Sequence, residues 1–178
     1  MPLREVNPKT DLNTAVFLGL GSNLGNRQFY IEKALAELND AGLEIDKCSS
    51  LYWSAPWGNP RLRPFLNTVC RLNCPFSPEE LLFLCQKTEK FLGRKTTKGG
   101  YQNRIIDIDI LFFGNRILQT DKLKIPHPEI PSRKFVLVGM NEIAADFVDP
   151  ALNQTMADLF QSTNDPLAVE LWGRLDSF

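Results

Sequence analysis

The residues with the clearest chemical potential are two aspartates, Asp107 and Asp109, in the run Ile105-Ile106-Asp107-Ile108-Asp109-Ile110-Leu111-Phe112-Phe113. Side chains alternate along a strand, so Ile106, Ile108, Ile110 and Phe112 would share one face and the two aspartates the other. Two residues of rise set the carboxylates' attachment points about 6.6 Å apart. Charges that close repel, and aspartate is a poor strand former, so the pair disfavours its own strand unless cations sit between its members. Mg²⁺ takes oxygen ligands and is normally held by one or two carboxylates plus substrate phosphates. Read alone, the pattern also fits a half-exposed strand that shows two acids to water.

The neighbours favour metal and phosphate. Arg94, Lys95, Lys98 and Arg104 lie just upstream of the pair, and Lys122, Lys124, His127 and Arg133 downstream. Each could be an ordinary solvated surface charge. Together, cations flanking a metal-carboxylate strand are what polyphosphate transfer needs, because that chemistry is mostly positioning and charge neutralisation. A second constellation is Phe65 and Asn67. On a strand they share a face and present a ring platform beside an amide that can both donate and accept.

The elements that must position these groups follow from periodicity and punctuation. Residues 1–13 read as a loose extension, and Thr14 to Leu20 as a strand ending in a turn at Gly21-Ser22-Asn23. From Asn26, the spacing of Ile31, Ala34, Leu35 and Leu38 predicts a helix closed by Gly42. A second strand is expected over Glu44 to Tyr52, a loop over Ser54 to Pro64, and a third strand over Phe65 to Asn73. Ser77-Pro78-Glu79-Glu80 is a capping-box start for a helix running to Gly93 along Leu81, Cys85, Thr88 and Leu92. A basic loop, 94–104, leads into the strand Ile105 to Phe113, and a turn at Gly114-Asn115 predicts a hairpin with Arg116 to Leu118. Helices are expected from Arg133 through Asn141 and over Met156 to Phe160. The tail after Asn164 carries no legible element, so the main domain is set at 14–163 and the tail at 164–178. The order β-α-β-β-α-β predicts a ferredoxin-like α+β sandwich, a largely antiparallel sheet covered by helices.

Composition narrows the function classes. In 178 residues, 43% are hydrophobic, enough for one sizeable core. Lys and Arg total 20 against 21 Asp and Glu, so a general nucleic-acid or anionic-membrane binder is not expected. Cys48, Cys70, Cys74 and Cys85 form no CxxC pair and only one His is present, so a zinc site is not expected and the cysteines read as reduced thiols. Residues 1–13 lack a signal peptide's apolar region, and no apolar run approaches the length of a membrane span. The expectation is a cytoplasmic monomer.

The segment Arg104-x-x-Asp107-Ile-Asp109-Ile-Leu-Phe-Phe-Gly is similar to the signature strand of the 6-hydroxymethyl-7,8-dihydropterin pyrophosphokinases of folate biosynthesis. The chain resembles that family over roughly residues 15–150, through motifs in the family's order. These include Gly21-Ser22-Asn23-Leu24, Phe65-Leu66-Asn67, Gln86-x-x-Glu89, Gly93-Arg94, Pro126-His127-Pro128 and Arg133-x-Phe135. The resemblance implies transfer of pyrophosphate from ATP to the pterin's hydroxymethyl oxygen, with release of AMP. It implies two Mg²⁺ ions bridging the ATP phosphates on Asp107 and Asp109, with Arg94 and Arg104 beside them as catalytic cations. Gln86, Glu89, Ile110, Lys122, Lys124, His127 and Arg133 fall at nucleotide-side positions, together with those two arginines. Phe65 and Phe135 match the rings that sandwich the pterin. Asn67 and the loop residues Ser54, Pro56, Trp57 and Gly58 match its hydrogen-bonding edge.

Departures from the family pattern fall in the two long loops. Gln102 and Asn103 stand where family members usually carry a small residue and then proline or a similar residue, and Thr96 stands where a second arginine is common. Tyr101 stands at a common tryptophan that covers the pterin, Ala55 at a proline, and Trp57 at a leucine. Aromatic cover of the pterin by Tyr101 and Trp57 is the compensation expected. The alternatives are a catalytically silent ferredoxin-like binding module, which has no need of Asp107, Asp109, Arg94 and Arg104, and an RNA-binding domain. The latter would want exposed aromatics across the central strands and a basic face.

Overall fold

Alternating apolar residues make β1 (Thr14–Ser22) the central strand: Val16, Leu18 and Leu20 are buried on one face and Phe17 on the other. The structure is a computed structural model that describes residues 14–95, 102–176 and 178. β1 pairs antiparallel with β4 (Phe65–Cys74) on one side and β5 (Asp107–Phe113) on the other. β2 (Glu44–Cys48) and β3 (Leu51–Ser54) both pair with β4, and β8 (Val169–Gly173) pairs with β3. The sheet order is β5-β1-β4-β3-β8, with β2 also beside β4. With α1 (Arg27–Asp40) after β1 and α2 (Pro78–Phe91) after β4, this is the ferredoxin-like α+β sandwich.

Two cores flank the sheet. On one face Ile31, Ala34, Leu35 and Leu38 of α1 and Leu81 and Cys85 of α2 pack on Val16, Leu18, Leu20 and Ile108. On the other, α3 (Lys134–Ala144) and α4 (Met156–Ser162) bury Leu137, Met140 and Leu159 against Phe17, Val69 and Phe112. The starts of α1 and α2 follow local chemistry. The Asn26 side chain accepts from the Phe29 N–H, and Ser77 and Glu80 form a complete capping box with Pro78 in the first turn.

Several elements differ from the sequence expectation. β1 runs through Gly21 and Ser22 rather than turning there. The strand expected over 44–52 is two strands, because buried Ser49 and Ser50 turn their side chains inward: Ser49 Oγ donates to the Ser50 carbonyl, and Ser50 Oγ donates to Glu142. Leu111 is skipped in the pairing of β5 with β1, where Phe17 faces Phe112 and Leu18 faces Ile110. That bulge carries Phe112 to the α3 face and gives Phe113 the place beside the isoleucines. Residues after Gly114 do not return along β5. Instead β6 (Leu118–Gln119) pairs with β7 (Lys124–Ile125) across a turn in which Thr120 bonds Leu123. Cys48 and Cys70 are directly opposed on β2 and β4 and form a disulfide, which corrects the expectation of four reduced thiols; Cys74 and Cys85 are free and buried. The tail after Asn164 supplies β8, an integral edge strand of the main sheet. Among the described residues no helix is long and apolar enough to cross a membrane.

Candidate active site

Strand register builds the site. Gly21 of β1 faces Asn67 on β4 and Asp107 on β5, and Gly19 faces Val69 and Asp109. The central position of each row has no side chain, so Asn67 and Asp107 face each other across an open trough about 9.6 Å wide, two interstrand spacings. A Cβ on Gly21 would lie 2.9 Å from Asn67 Oδ1, and one on Gly19 would lie 3.4 Å from Leu111. Glycine is therefore what keeps this floor open. Above it lies a cavity of about 180 Å³ whose lining includes ten residues expected from the sequence, Ser54, Trp57, Phe65, Asn67, Arg104, Asp107, Asp109, His127, Arg133 and Phe135, beside Leu20, Thr68, Val69, Leu111 and Val136, which were not.

At one end, cations gather on the aspartates. Asp107 Oδ2 lies 2.6 Å from Arg104 and Oδ1 lies 2.8 Å from Arg94. Asp109 Oδ2 is 3.2 Å from Arg133 and 3.9 Å from His127 Nε2. Burial and then repulsion from Asp107 push the Asp109 carboxyl up from its ordinary range, while His127 and Arg133 pull it down. Burial pushes the His127 pKa down. Its Nδ1 accepts the Glu129 N–H at 3.2 Å, so the neutral ring carries its proton on Nε2, toward Asp109. Among the described residues no three His, Cys, Asp or Glu side chains gather as a metal cluster. Two hard-oxygen carboxylates on a phosphate-sized trough nevertheless fit Mg²⁺, whose remaining ligands come from phosphate and water.

Glu89 sits beneath this cluster rather than in it. Buried on α2, it accepts the backbone N–H of Ile108, the residue between the two aspartates, at 2.7 Å and pairs with Arg94. Burial pushes its carboxyl up to about 7, against the Ile108 N–H and Arg94. Glu89 thus fixes α2 to the acidic strand.

At the other end, Asn67 Nδ2 donates to Ser54 Oγ at 2.8 Å and more weakly to the Tyr52 carbonyl, leaving Oδ1 toward the trough. Phe65 and Phe135 line the same space. Trp57 stacks on Arg133, its ring centroid 5.0 Å from the guanidinium carbon, and donates from Nε1 to the Ser132 carbonyl at 3.2 Å.

Other expected site residues lie elsewhere. Gln86 is exposed on α2, Lys122 and Lys124 are exposed at the β6–β7 hairpin, and Pro56 and Gly58 stand in the loop outside the cavity lining. The Ile110 side chain is buried in the core under α1 and α2. Tyr101, Thr96 and Lys98 fall outside the described residues. The structure adds Gly19, Gly21, Leu62 and Gln102 to the lining. Two glycines alternating in an otherwise bulky strand are a legible sign of close approach, and sequence reasoning passed over it.

The model of the family described as 7,8-dihydro-6-hydroxymethylpterin-pyrophosphokinase (HPPK) matches residues 17–145. The "Folic acid synthesis protein fol1" of Pneumocystis carinii is 40% identical over 154 residues, 86% of this chain and 20% of that protein. The 2-amino-4-hydroxy-6-hydroxymethyldihydropteridine pyrophosphokinase of Aquifex aeolicus (strain VF5) is 38% identical over 143 residues, 80% of this chain and 88% of that one. A crystal structure of an HPPK-DHPS in complex with substrates superposes with a TM-score of 0.69 at 14% identity, covering 85% of this chain and 43% of that one, a likeness of fold. The chain thus spans most of the Aquifex enzyme, a fifth of the fungal protein and under half of the HPPK-DHPS chain.

Proposed function

Because this chain belongs to the 7,8-dihydro-6-hydroxymethylpterin-pyrophosphokinase family, we propose that it transfers pyrophosphate from ATP to the hydroxymethyl group of 6-hydroxymethyl-7,8-dihydropterin, releasing AMP in folate synthesis. The row Asn67–Gly21–Asp107 carries this reading, since it joins an amide suited to a heterocycle edge to a carboxylate suited to metal and phosphate across one open floor. The bulk of the fungal and HPPK-DHPS proteins lies outside the part this chain matches.

The pterin enters between Phe65 and Phe135, which hold a flat ring by its faces. Asn67 Oδ1, with its amide nitrogen held by Ser54, accepts from the ring's amino group. That orientation points the hydroxymethyl group along the trough toward Asp107 and Asp109. Those two carboxylates would hold Mg²⁺, which when bound would neutralise phosphate charge and orient the reacting groups. The hydroxymethyl oxygen bonds to the β-phosphorus as the bond to the α-phosphate oxygen breaks, and its proton leaves to water. Arg94, Arg104 and Arg133, which pair with the aspartates, would donate to phosphate oxygens as charge moves onto AMP. His127 adds a neutral donor from Nε2.

The test is AMP release from Mg-ATP with and without the pterin alcohol. Pterin-dependent AMP is expected, and its absence would sink the proposal. Asp107→Ala and Asp109→Ala should each lower turnover by at least about 100-fold, with circular dichroism unchanged. Chelation of the metal should abolish turnover and Mg²⁺ restore it.

A further inference from the structure

We propose that Trp57 is a positioning residue: its indole holds the Arg133 guanidinium at the head of the cavity and ties the loop after β3 to the start of α3. This rests on the pyrophosphokinase reading of the site. Arg133 precedes α3 and reaches Asp109 through one terminal nitrogen at 3.2 Å. Among the described residues its Nε is buried with no hydrogen-bond partner, so hydrogen bonding to them leaves the guanidinium underdetermined. The indole supplies the missing constraint. Its face lies under the guanidinium at 5.0 Å, the Phe135 ring follows at 6.0 Å, and Trp57 Nε1 is anchored on the carbonyl of the preceding residue, Ser132.

The type of contact matters to function. A metal ion held by Asp109 would compete with Arg133 for that carboxylate and weaken the ion pair that now orients the guanidinium. A cation over an aromatic face keeps its attraction while sliding by a fraction of a ring width, which a hydrogen bond does not. Trp57 can therefore hold Arg133 both on the carboxylate and on a phosphate oxygen. One face of the indole is occupied by this cation. A leucine could fill the space but neither hold the cation nor donate to Ser132.

The test is steady-state AMP release by Trp57→Leu, Trp57→Phe, Arg133→Ala and the Trp57→Leu/Arg133→Ala double variant, varying ATP and pterin separately. Trp57→Leu should lower kcat about tenfold while the KM for pterin stays within about threefold. Trp57→Phe keeps a ring face and should recover most of kcat. In the Arg133→Ala background, Trp57→Leu should have no further effect on kcat. Additive losses would overturn the proposal, as would a raised pterin KM with unchanged kcat, which is the signature of a ring that covers substrate. If Trp57→Leu unfolds, Trp57→Phe and the pterin KM still decide. No pterin-dependent AMP from the wild type would overturn the reading of the site and this proposal with it. Normal wild-type turnover with additive variants would overturn this proposal alone.

Discussion

Asn23 Nδ2 donates to Asn103 Oδ1 at 2.8 Å, and the same Asn103 oxygen accepts the backbone N–H of Arg63 at 3.0 Å. Asn23 also donates to the Arg63 carbonyl at 3.0 Å and accepts the Arg104 N–H at 2.6 Å. One buried amide therefore clasps the bases of both long loops at the point where Arg104 turns toward Asp107. Asn23→Ala should destabilise the fold by about 2–3 kcal/mol, because it strands the Arg104 and Arg63 backbone groups. Asn103→Ala should cost less, about 1 kcal/mol, since Asn103 is exposed and water can replace it. Urea denaturation of both variants checks the order; equal losses would mean that the clasp is not centred on Asn23.

Gly21→Ala tests the open floor. The new methyl would lie 2.9 Å from Asn67 Oδ1, tighter than side-chain contacts allow, so the amide must move or lose its bond to Ser54. Pterin affinity should fall about tenfold, the size of one misplaced hydrogen bond, while ATP affinity holds. Calorimetric titration of each ligand gives the answer. A parallel loss of ATP binding would show that the methyl disturbs the whole trough rather than its Asn67 side.

What could be read from sequence was what neighbouring residues decide. The capping box at Ser77 and Glu80 involves four consecutive positions, and the face shared by Asp107 and Asp109 follows from a two-residue period. The bulge at Leu111 was not legible, because it is set by distant partners: Phe112 packs on Phe17 at 6.1 Å and on Phe147 at 4.8 Å between ring centroids. β8 has weak alternation, with Glu170, Leu171 and Trp172 all exposed, and is a strand only because β3 offers an edge. At the site, residue types named the chemistry, yet the partner of Glu89 is a backbone N–H on another element, which no helical spacing reveals.

Gly139→Ala probes the layer that carries Arg133 and Phe135. α3 approaches β4 so closely that a Cβ at Gly139 would meet Val69 Cγ2 at 2.7 Å and Ser49 Oγ at 3.2 Å. Alanine's better helix propensity recovers about 1 kcal/mol, against an overpacking cost of about 1–3 kcal/mol. A net loss of about 1 kcal/mol in chemical denaturation is expected. A more stable variant would mean that α3 shifts freely on the sheet, and that Arg133 is not held by this packing.

Glu89 makes stability depend on pH in a direction opposite to that of an ordinary ion-paired acid. Its carboxyl titrates near 4.5 in an unfolded chain and at about 7 in the fold, where burial outweighs the Ile108 N–H and Arg94. Between those values the folded protein binds the extra proton. The associated stability is fully present below about pH 4.5 and is lost as pH rises through about 7, a swing on the order of 3 kcal/mol. Glu89→Gln keeps an acceptor for Ile108 and cannot titrate. The variant should therefore gain on the wild type as pH rises from 5 to about 8, measured by urea denaturation without ATP or Mg²⁺. A wild type that gains on the variant instead would show that Arg94 and the Ile108 N–H hold the carboxylate ionised, so that Glu89 anchors the acidic strand as a charge.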